Sequence, residues 1–405
     1  MLETRYESTT NLTTPQTPLI LSLSQKKVRL HYLDGIRGLA ALFVLFHHAF
    51  YQIVLDQKSV PLLPAIARLF AVMAYGPTAV IVFIVLSGFC LMLPVTNAPE
   101  GKPRGGWKSY FSRRAMRILP PYWIALLFTL VLIRLIPGLQ QPAGRAWDTA
   151  VPALLWKPII AHLLLIHDFT APYFVRIDPP MWSVALEWHI YFLFPLLLLL
   201  WRRVGMIAAV ALGMILGYLP HKLSHGRLDF AHFHYLGLFA LGMAAAWIAT
   251  SAEPRAARLR SRVPWGWMTA LFAALSPVIV PRDFKSISAL GLPDYIPALA
   301  AAGLLIYASL SSHPDTGKGS RLVQFFETPW LVRVGEFSYS LYLIHYPLLA
   351  AMYLGLLHLT LSSEMRLAAL WLLGCPIVIL ISYGFYTVFE RRFVPSITRK
   401  DSTAP

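Results

Sequence analysis

The 405-residue chain has little charge and almost no cysteine. Only 13% of its residues are Asp, Glu, Lys or Arg, whereas roughly 25% is usual in a soluble domain. This shortage excludes an ordinary soluble protein, and the 57% share of hydrophobic residues favours a chain that uses lipid as its solvent. The two cysteines, Cys90 and Cys375, lie in apolar stretches. They exclude a disulfide framework and a cysteine-based metal cluster. A metal site on His47 and His48 is disfavoured because adjacent helical residues diverge by about 100°, and no resident cofactor is expected.

The sequence also lacks the patterns of nucleic-acid-binding and cleaved secretory proteins. Its net charge of +16 comes from short basic clusters between apolar stretches, which is typical of topology signals and anionic-lipid contacts. Zinc-finger spacing and a basic DNA-reading helix are absent, so no nucleic-acid partner is expected. Residues 1–30 are polar, without a charged-then-apolar leader, so the first span is expected to remain uncleaved.

Ten apolar windows are long enough to cross a bilayer and predict an all-α integral membrane bundle of about ten helices. They fall near 34–54, 75–95, 119–137, 184–201, 204–219, 232–250, 266–281, 296–310, 338–358 and 366–388. We expect one membrane domain over 31–395, polar tails at 1–30 and 396–405, and no separate soluble domain.

Charge orients these windows. With the N- and C-termini in the cytoplasm, 23 Lys and Arg residues lie on the inner side and 10 on the outer side, as the positive-inside rule requires. A span at 151–166 would break this agreement. That stretch is therefore predicted to be an interfacial or re-entrant helix in the long outer loop 138–183.

The first window contains an arginine and two histidines, which are costly in a bilayer and mark a functional site. Arg37 and His48 are about three turns apart, so both project from one face roughly 16 Å apart, while His47 points about 80° away. A histidine can take a proton from a hydroxyl, and Arg37 can bind phosphate or a carbonyl oxygen. The structural alternative is that Asp34 caps the helix and pairs with Arg37, while neighbouring helices satisfy the histidines.

Charged residues also flank the third and fourth windows. Arg113, Arg114 and Arg117 precede the third, where they either hold the phosphates of a large anionic donor or anchor the cytoplasmic side. Glu187 enters the fourth window one turn before Tyr191. It either acts chemically or favours the helix N-terminus through the dipole, with a serine as the cap.

Weaker polar signals occur in the second and ninth windows. Ser87 lies in FIVLSGFC, where a hydroxyl most commonly bonds between helices. Tyr342 lies in EFSYSLYLIHYPLL, among tyrosines that suit an interfacial aromatic belt. His345, in the same segment, is a second candidate polar centre.

Together, six segments in order resemble the membrane-bound acyltransferase type 3 family. LDGIRGLAALFVLFHHA is similar to the family's Arg/Lys, ten residues, His signature, placed here on Arg37 and His48. FIVLSGFC, SRRAMRILPPYW, WSVALEWHIYFLFP, SYSLYLIHYP and YTVFERRFV resemble its other elements, and the resemblance covers nearly all of 31–395. The chain departs from the family at His189, where glutamine is more common. It also shows no fused hydrolase-like domain, so acceptor transfer is expected within the membrane domain or through a separate protein.

The resemblance implies an O-acyltransferase of the plasma (inner) membrane. It would move an acyl group, expected to be acetyl, from acyl-CoA to a hydroxyl of a carbohydrate, lipid-linked sugar or similar acceptor. His48 would act as a base or transient acyl carrier, with Arg37 beside the donor phosphates and Glu187 orienting His48 or the acceptor. A proton-coupled transporter or flippase is the rival interpretation, since buried His, Arg and Glu also suit transport.

The resemblance also implies a set of binding residues. Acyl-CoA is expected to be a donor substrate bound by Arg113, Arg114 and Arg117. The residues expected to contact substrate are Ser87, Tyr122, Trp182, Tyr191, Tyr342 and His345.

Overall fold

A computed structural model describes residues 30–98, 101–280, 291–312 and 319–393. Within these ranges the chain is helical and contains no strand. The described residues from His31 onward form one compact unit. The predicted polar tails, apart from Leu30, lie outside the described residues.

Nine of the described helices are long and apolar enough to cross a membrane, and a shorter apolar helix of 15 residues accompanies them. In chain order they are α1 (His31–Val54), α2 (Ala71–Thr96), α3 (Gly106–Leu135), α4 (Pro179–Val204), α5 (Met206–Ser224), α6 (Asp229–Thr250), α7 (Trp265–Ile279), α8 (Leu292–Ser311), α9 (Ser338–Leu357) and α10 (Ser363–Glu390). Each corresponds to one predicted window, which confirms the all-α membrane bundle.

Helix α3 begins well before the window predicted at 119–137. It starts at Gly106, so Arg113, Arg114 and Arg117 lie within the helix rather than ahead of it. Arginine is a good helix former, but it lowers the hydropathy of any window that includes it. The apolar window therefore located only the second half of the helix.

The outer segment near 151–166 does not span. Its helix, Trp156–Leu163, has eight residues and is only about 12 Å long, against roughly 30 Å of hydrocarbon. The Tyr122 hydroxyl donates to the carbonyl oxygen of His162 at 3.1 Å, so this short helix packs beside the middle of α3. The predicted non-spanning helix in the outer loop is confirmed.

Helices α2 and α6 pack closely because each presents a glycine to the other's backbone. A Cβ added at Gly242 would lie 1.9 Å from the carbonyl oxygen of Val85, and one added at Gly88 would lie 2.1 Å from that of Phe239. Both obstacles are backbone atoms, which cannot rotate away. This contact fixes α2, and with it Ser87, against the rest of the bundle.

We expect Gly242→Ala to destabilise the protein strongly, by about 1–3 kcal/mol or more, because the added methyl overpacks a rigid contact. Thermal unfolding in detergent measures the effect as a lowered midpoint. Gly384→Ala is the matched control, since a Cβ there meets nothing within 4 Å. An unchanged midpoint for Gly242→Ala would contradict the close packing.

Candidate active site

A cavity of about 280 Å³ lies among α1, α2, α3, α4 and α9. Three guanidinium groups line it, against one carboxylate, so its interior favours an anionic ligand. The polar lining consists of Arg37, Ser87, Arg114, Arg117, Ser183, Glu187, Tyr191, Ser338, Tyr339 and Tyr342. Apolar side chains of α2 and α4 complete the wall.

Arg37 connects α1 to α2 at this cavity. Its Nη1 lies 3.1 Å from Asp34 Oδ1, and its Nη2 donates to the Cys90 sulfur at 3.0 Å. The pairing with Asp34 that the structural alternative required is therefore present. Arg37 nevertheless lines the cavity, so the ion pair orients the guanidinium without removing it from the site.

The three arginines of α3 do not act as one group. Arg114 and Arg117 line the cavity, and the Arg114 guanidinium lies 5.9 Å from the centre of the Tyr191 ring. Arg113 is absent from the lining and bonds instead to Ser109 and to the carbonyl oxygen of Arg104. Successive helical residues diverge by about 100°, which separates Arg113 from Arg114.

Glu187 is the acceptor of a three-residue hydrogen-bond network across α2 and α4. Ser87 Oγ donates to Glu187 Oε1 at 3.0 Å, and the Tyr191 hydroxyl donates to the same oxygen. The hydroxyls of Ser87 and Tyr191 are 2.8 Å apart. These bonds hold Glu187 at the cavity wall and do not involve His48, so the network orients groups around the cavity.

His48 is paired with a histidine from the ninth window. His345 Nδ1 lies 2.8 Å from the carbonyl oxygen of Tyr342, and His345 Nε2 lies 2.8 Å from His48 Nδ1. A carbonyl only accepts, so His345 Nδ1 carries its hydrogen, and Nε2 of the neutral ring is an acceptor. His48 Nδ1 must then be the donor, which places the lone pair of His48 on Nε2. His345, rather than Glu187, occupies the position that orients His48.

His47 has different surroundings from His48. Its Nδ1 lies 2.5 Å from the carbonyl oxygen of Met73. Its ring fills the space above Gly76, where an added Cβ would lie 2.2 Å from it. The adjacent histidines thus have separate partners, with His47 packed against α2 and His48 paired with α9.

A small apolar cluster lies beside the face of α1 between Arg37 and His48. Ala40, Val44 and Ala79 form its buried core, and Phe83 and Tyr342 pack against it half-buried. The last two rings, 6.1 Å apart in an edge contact, also line the cavity. These two side chains therefore contact both the cavity and the apolar cluster beside α1.

Besides His345, which is paired with His48, two predicted substrate residues lie outside the cavity lining. Tyr122 is fully buried, with its hydroxyl on the His162 carbonyl. Trp182 is 7% exposed and stacks on Tyr235 at 6.0 Å between ring centres. Their contacts support the outer loop and the bundle.

The unusual His189 faces the outer loop rather than the cavity. Its Nδ1 lies 3.3 Å from Asp168 Oδ2, and its ring stacks on Phe169 with centres 4.8 Å apart. Burial, opposed by this histidine, raises the pKa of Asp168. His189 therefore has its own carboxylate partner and is not part of the Glu187 network.

Sequence reasoning missed Ser183 as a cavity residue. It is the serine that the structural alternative for Glu187 would use as the helix cap, but its hydroxyl lies 2.6 Å from that of Tyr342 and also donates to the carbonyl oxygen of Pro180. Ser183, Glu187 and Tyr191 are spaced four residues apart, which places all three on one helix face. That spacing was the available signal.

Comparison with known proteins places this site in a family. The family described as acyltransferase domain (Acyl_transf_3) matches residues 30–387. Acyltransferase MdmB of Streptomyces mycarofaciens is 27% identical over 354 residues, which cover 79% of each chain. The putative peptidoglycan O-acetyltransferase YrhL of Bacillus subtilis is 22% identical over 342 residues, 78% of this chain but only 48% of the relative. No solved structure matches. The chain belongs to this acyltransferase family and is a multi-pass membrane O-acyltransferase.

Proposed function

We propose that the protein transfers an acyl group, acetyl in the first instance, from acyl-CoA to a hydroxyl of a sugar, lipid-linked sugar or related acceptor. One observation carries this proposal. His48, the proposed base, is bonded to His345 and lies on the same helix as Arg37, which lines a positively charged cavity. A charged entrance and a proton acceptor along one helix suit a donor that is anionic at one end and reactive at the other.

The cavity supports a donor bound by its phosphates. Arg37, Arg114 and Arg117 offer charge-assisted hydrogen bonds to phosphate oxygens, the strongest class available at such a site. A volume of about 280 Å³ is near the lower end for small-molecule sites. We therefore place the thioester end inside and the nucleotide end at the cytoplasmic mouth, as the basic charge of the inner segments also favours.

The apolar cluster beside α1 would guide the acyl group. Phe83 and Tyr342 stand between the cavity and the packing beside Val44, one turn before His48. An acyl chain passing these rings would exchange one set of apolar contacts for another, at little cost in free energy. This narrow route favours a short acyl group such as acetyl.

His48 Nε2 suits two chemical routes. As a base it takes the proton of the acceptor hydroxyl while the oxygen attacks the thioester carbonyl. The carbon–sulfur bond then breaks, and the thiolate takes this proton from His48 and leaves as CoA–SH. As a nucleophile it attacks the thioester carbonyl, the carbon–sulfur bond breaks, and an acyl-imidazolium and a thiolate form. The acceptor oxygen then attacks the acyl carbon, the carbon–nitrogen bond breaks, and the hydroxyl proton passes to the thiolate, which leaves as CoA–SH. His345 holds the ring orientation in both routes.

The acceptor is proposed from chemistry and from one relative. YrhL is named a putative peptidoglycan O-acetyltransferase, so hydroxylated sugars of that kind are the first acceptors to test. The nine apolar spans and the family make the chain an integral membrane protein, and we propose the plasma membrane as its location.

The test uses purified protein in lipid nanodiscs with acetyl-CoA labelled in the acetyl group. The acceptors are N-acetylglucosamine, an alkyl glucoside and the disaccharide unit of peptidoglycan. We expect labelled ester and an equal amount of free CoA. Absence of label with every acceptor, together with acceptor movement across proteoliposomes without acyl-CoA, would replace the enzyme by the transporter alternative.

A further inference from the structure

Tyr346 of α9 contacts both His48 and the outer loop. The ring of Tyr346 lies edge-on to that of His48, with centres 5.0 Å apart. Its hydroxyl donates to the carbonyl oxygen of Ala146, and Trp147 stacks on it at 5.7 Å. Residues of the loop between α3 and α4 thus pack against the surroundings of His48.

The same loop ends in a buried carboxyl group without a satisfied hydrogen bond. Asp178 is 1% exposed, and neither of its oxygens has a partner in hydrogen-bond geometry. The Thr129 hydroxyl on α3 lies close enough to oppose the effect of burial on the pKa of Asp178, but it too has no partner in hydrogen-bond geometry. Burial raises the pKa of Asp178 well above its usual range. A buried polar group of this kind destabilises the fold unless a ligand or water completes it.

The backbone before Asp178 is strained. Ile177 has a φ of 65°, in the left-handed region that a β-branched residue rarely adopts. The Ile177 N–H donates to the carbonyl oxygen of Ala150 at 3.0 Å. Pro179 and Pro180 directly follow Asp178. Such strain persists only where the surrounding structure imposes it, and it concentrates at functional sites.

Asp178 lies on the outer-loop side of the histidine pair. Its carboxyl group is within electrostatic range of the hydroxyls of Tyr342 and Tyr346, which flank His345 on α9. Tyr342 also donates to the carbonyl oxygen of Pro180, two residues after Asp178. Among the described residues, therefore, a carboxyl group without a partner in hydrogen-bond geometry lies within electrostatic range of the two tyrosines that flank His345 in the sequence.

We propose that Asp178 is an acceptor-binding residue. Its carboxyl group forms hydrogen bonds with hydroxyls of a polyhydroxylated acceptor held beside His48. His48 then takes the proton of a further hydroxyl on the same molecule. This inference rests on the proposed function, and it assigns the outer-loop side of the histidine pair to the acceptor and the arginine cavity to the donor.

The test compares steady-state kinetics of Asp178→Leu and Asp178→Asn with wild type in nanodiscs, using labelled acetyl-CoA and the three acceptors above. Leucine conserves volume and removes an unsatisfied polar group, so thermal stability is expected to hold or rise. We expect the acceptor KM to rise more than tenfold for Asp178→Leu and about three- to tenfold for Asp178→Asn. The KM for acetyl-CoA should stay within twofold.

Asp168→Asn is the control, because Asp168 is the other fully buried carboxyl of this loop and also lacks a partner in hydrogen-bond geometry, but its Oδ2 lies 3.3 Å from His189 Nδ1, away from the histidine pair. It is expected to leave the acceptor KM unchanged. A folded Asp178 variant with wild-type acceptor KM overturns the inference, and the Asn variant decides the matter should the Leu variant not fold. A loss of kcat with an unchanged acceptor KM would indicate a structural role and also overturn it. Wild-type protein that acylates none of the acceptors contradicts the proposed function first, and the inference falls with it.

Discussion

Replacement of His48 by alanine is expected to lower the rate of acyl transfer by about 10²–10⁴-fold, the range for loss of a positioned general acid–base group. The lone pair on His48 Nε2 is the reacting group in both proposed routes, and no other described histidine makes the same bond to His345. The measurement is kcat for label transfer from acetyl-CoA, with the KM values of donor and acceptor determined alongside.

Two neighbouring histidines provide the controls for this result. His47→Gln is expected to retain most activity, since His47 bonds to the Met73 carbonyl and packs on Gly76. His345→Gln should fall between the two variants, because His48 keeps its lone pair but loses its orienting acceptor. Full activity in His48→Ala, or equal losses in His47→Gln and His48→Ala, would contradict the assignment.

Arg114→Gln is expected to raise the KM for acetyl-CoA by about 10–100-fold, the worth of one hydrogen bond to a charged group. Arg114 lines the cavity, whereas the adjacent Arg113 bonds to Ser109 and to the Arg104 carbonyl. Arg113→Gln is therefore the matched control, with the same chemistry one residue away. We expect it to change the donor KM less than threefold.

Ionic strength separates donor binding from a general effect on stability. Loss of a phosphate contact should reduce the salt dependence of the donor KM in Arg114→Gln, because fewer charges take part in binding. Thermal unfolding in detergent checks that both variants remain folded. Equal donor KM values for the Arg113 and Arg114 variants would contradict the position of the donor cavity.

The fold was predictable because lipid imposes a simple rule on sequence. Each spanning helix needs a long apolar run, and all ten windows correspond to helices in the structure. The start of α3 was not predictable in this way, since Arg113, Arg114 and Arg117 continue the helix while making it less apolar. Charge counting did identify the short helix in the outer loop as non-spanning, because a span there would have reversed every later segment.

The site was only partly predictable, since its key contacts join distant parts of the chain. Periodicity placed Arg37 and His48 on one face of α1, but nothing local indicated that His345, almost three hundred positions later, would bond to His48. Glu187 was expected to orient either His48 or the acceptor, and its hydrogen bonds go to Ser87 and Tyr191 rather than to His48. Pairing of side chains between helices depends on helix rotation and tilt, which the sequence of one helix does not specify.

Asp178 shows a different limit. In the sequence it precedes two prolines, a pattern typical of an exposed turn. Only the structure shows that this turn is buried and that its carboxyl group lies near the tyrosines flanking His345. A buried polar group that costs folding free energy is recognised by the hydrogen-bond partners that it lacks. Their absence is visible only in a three-dimensional structure.

The most direct test of the central claim is a cryo-electron microscopy structure of the protein in nanodiscs with a non-hydrolysable acetyl-CoA analogue. The account predicts phosphate density beside Arg114 and Arg117 and the acyl carbon within about 3.5 Å of His48 Nε2, the separation of reacting atoms in a near-attack geometry. Analogue density outside the cavity among α1, α2, α3, α4 and α9, or an acyl group directed away from His48, would contradict it.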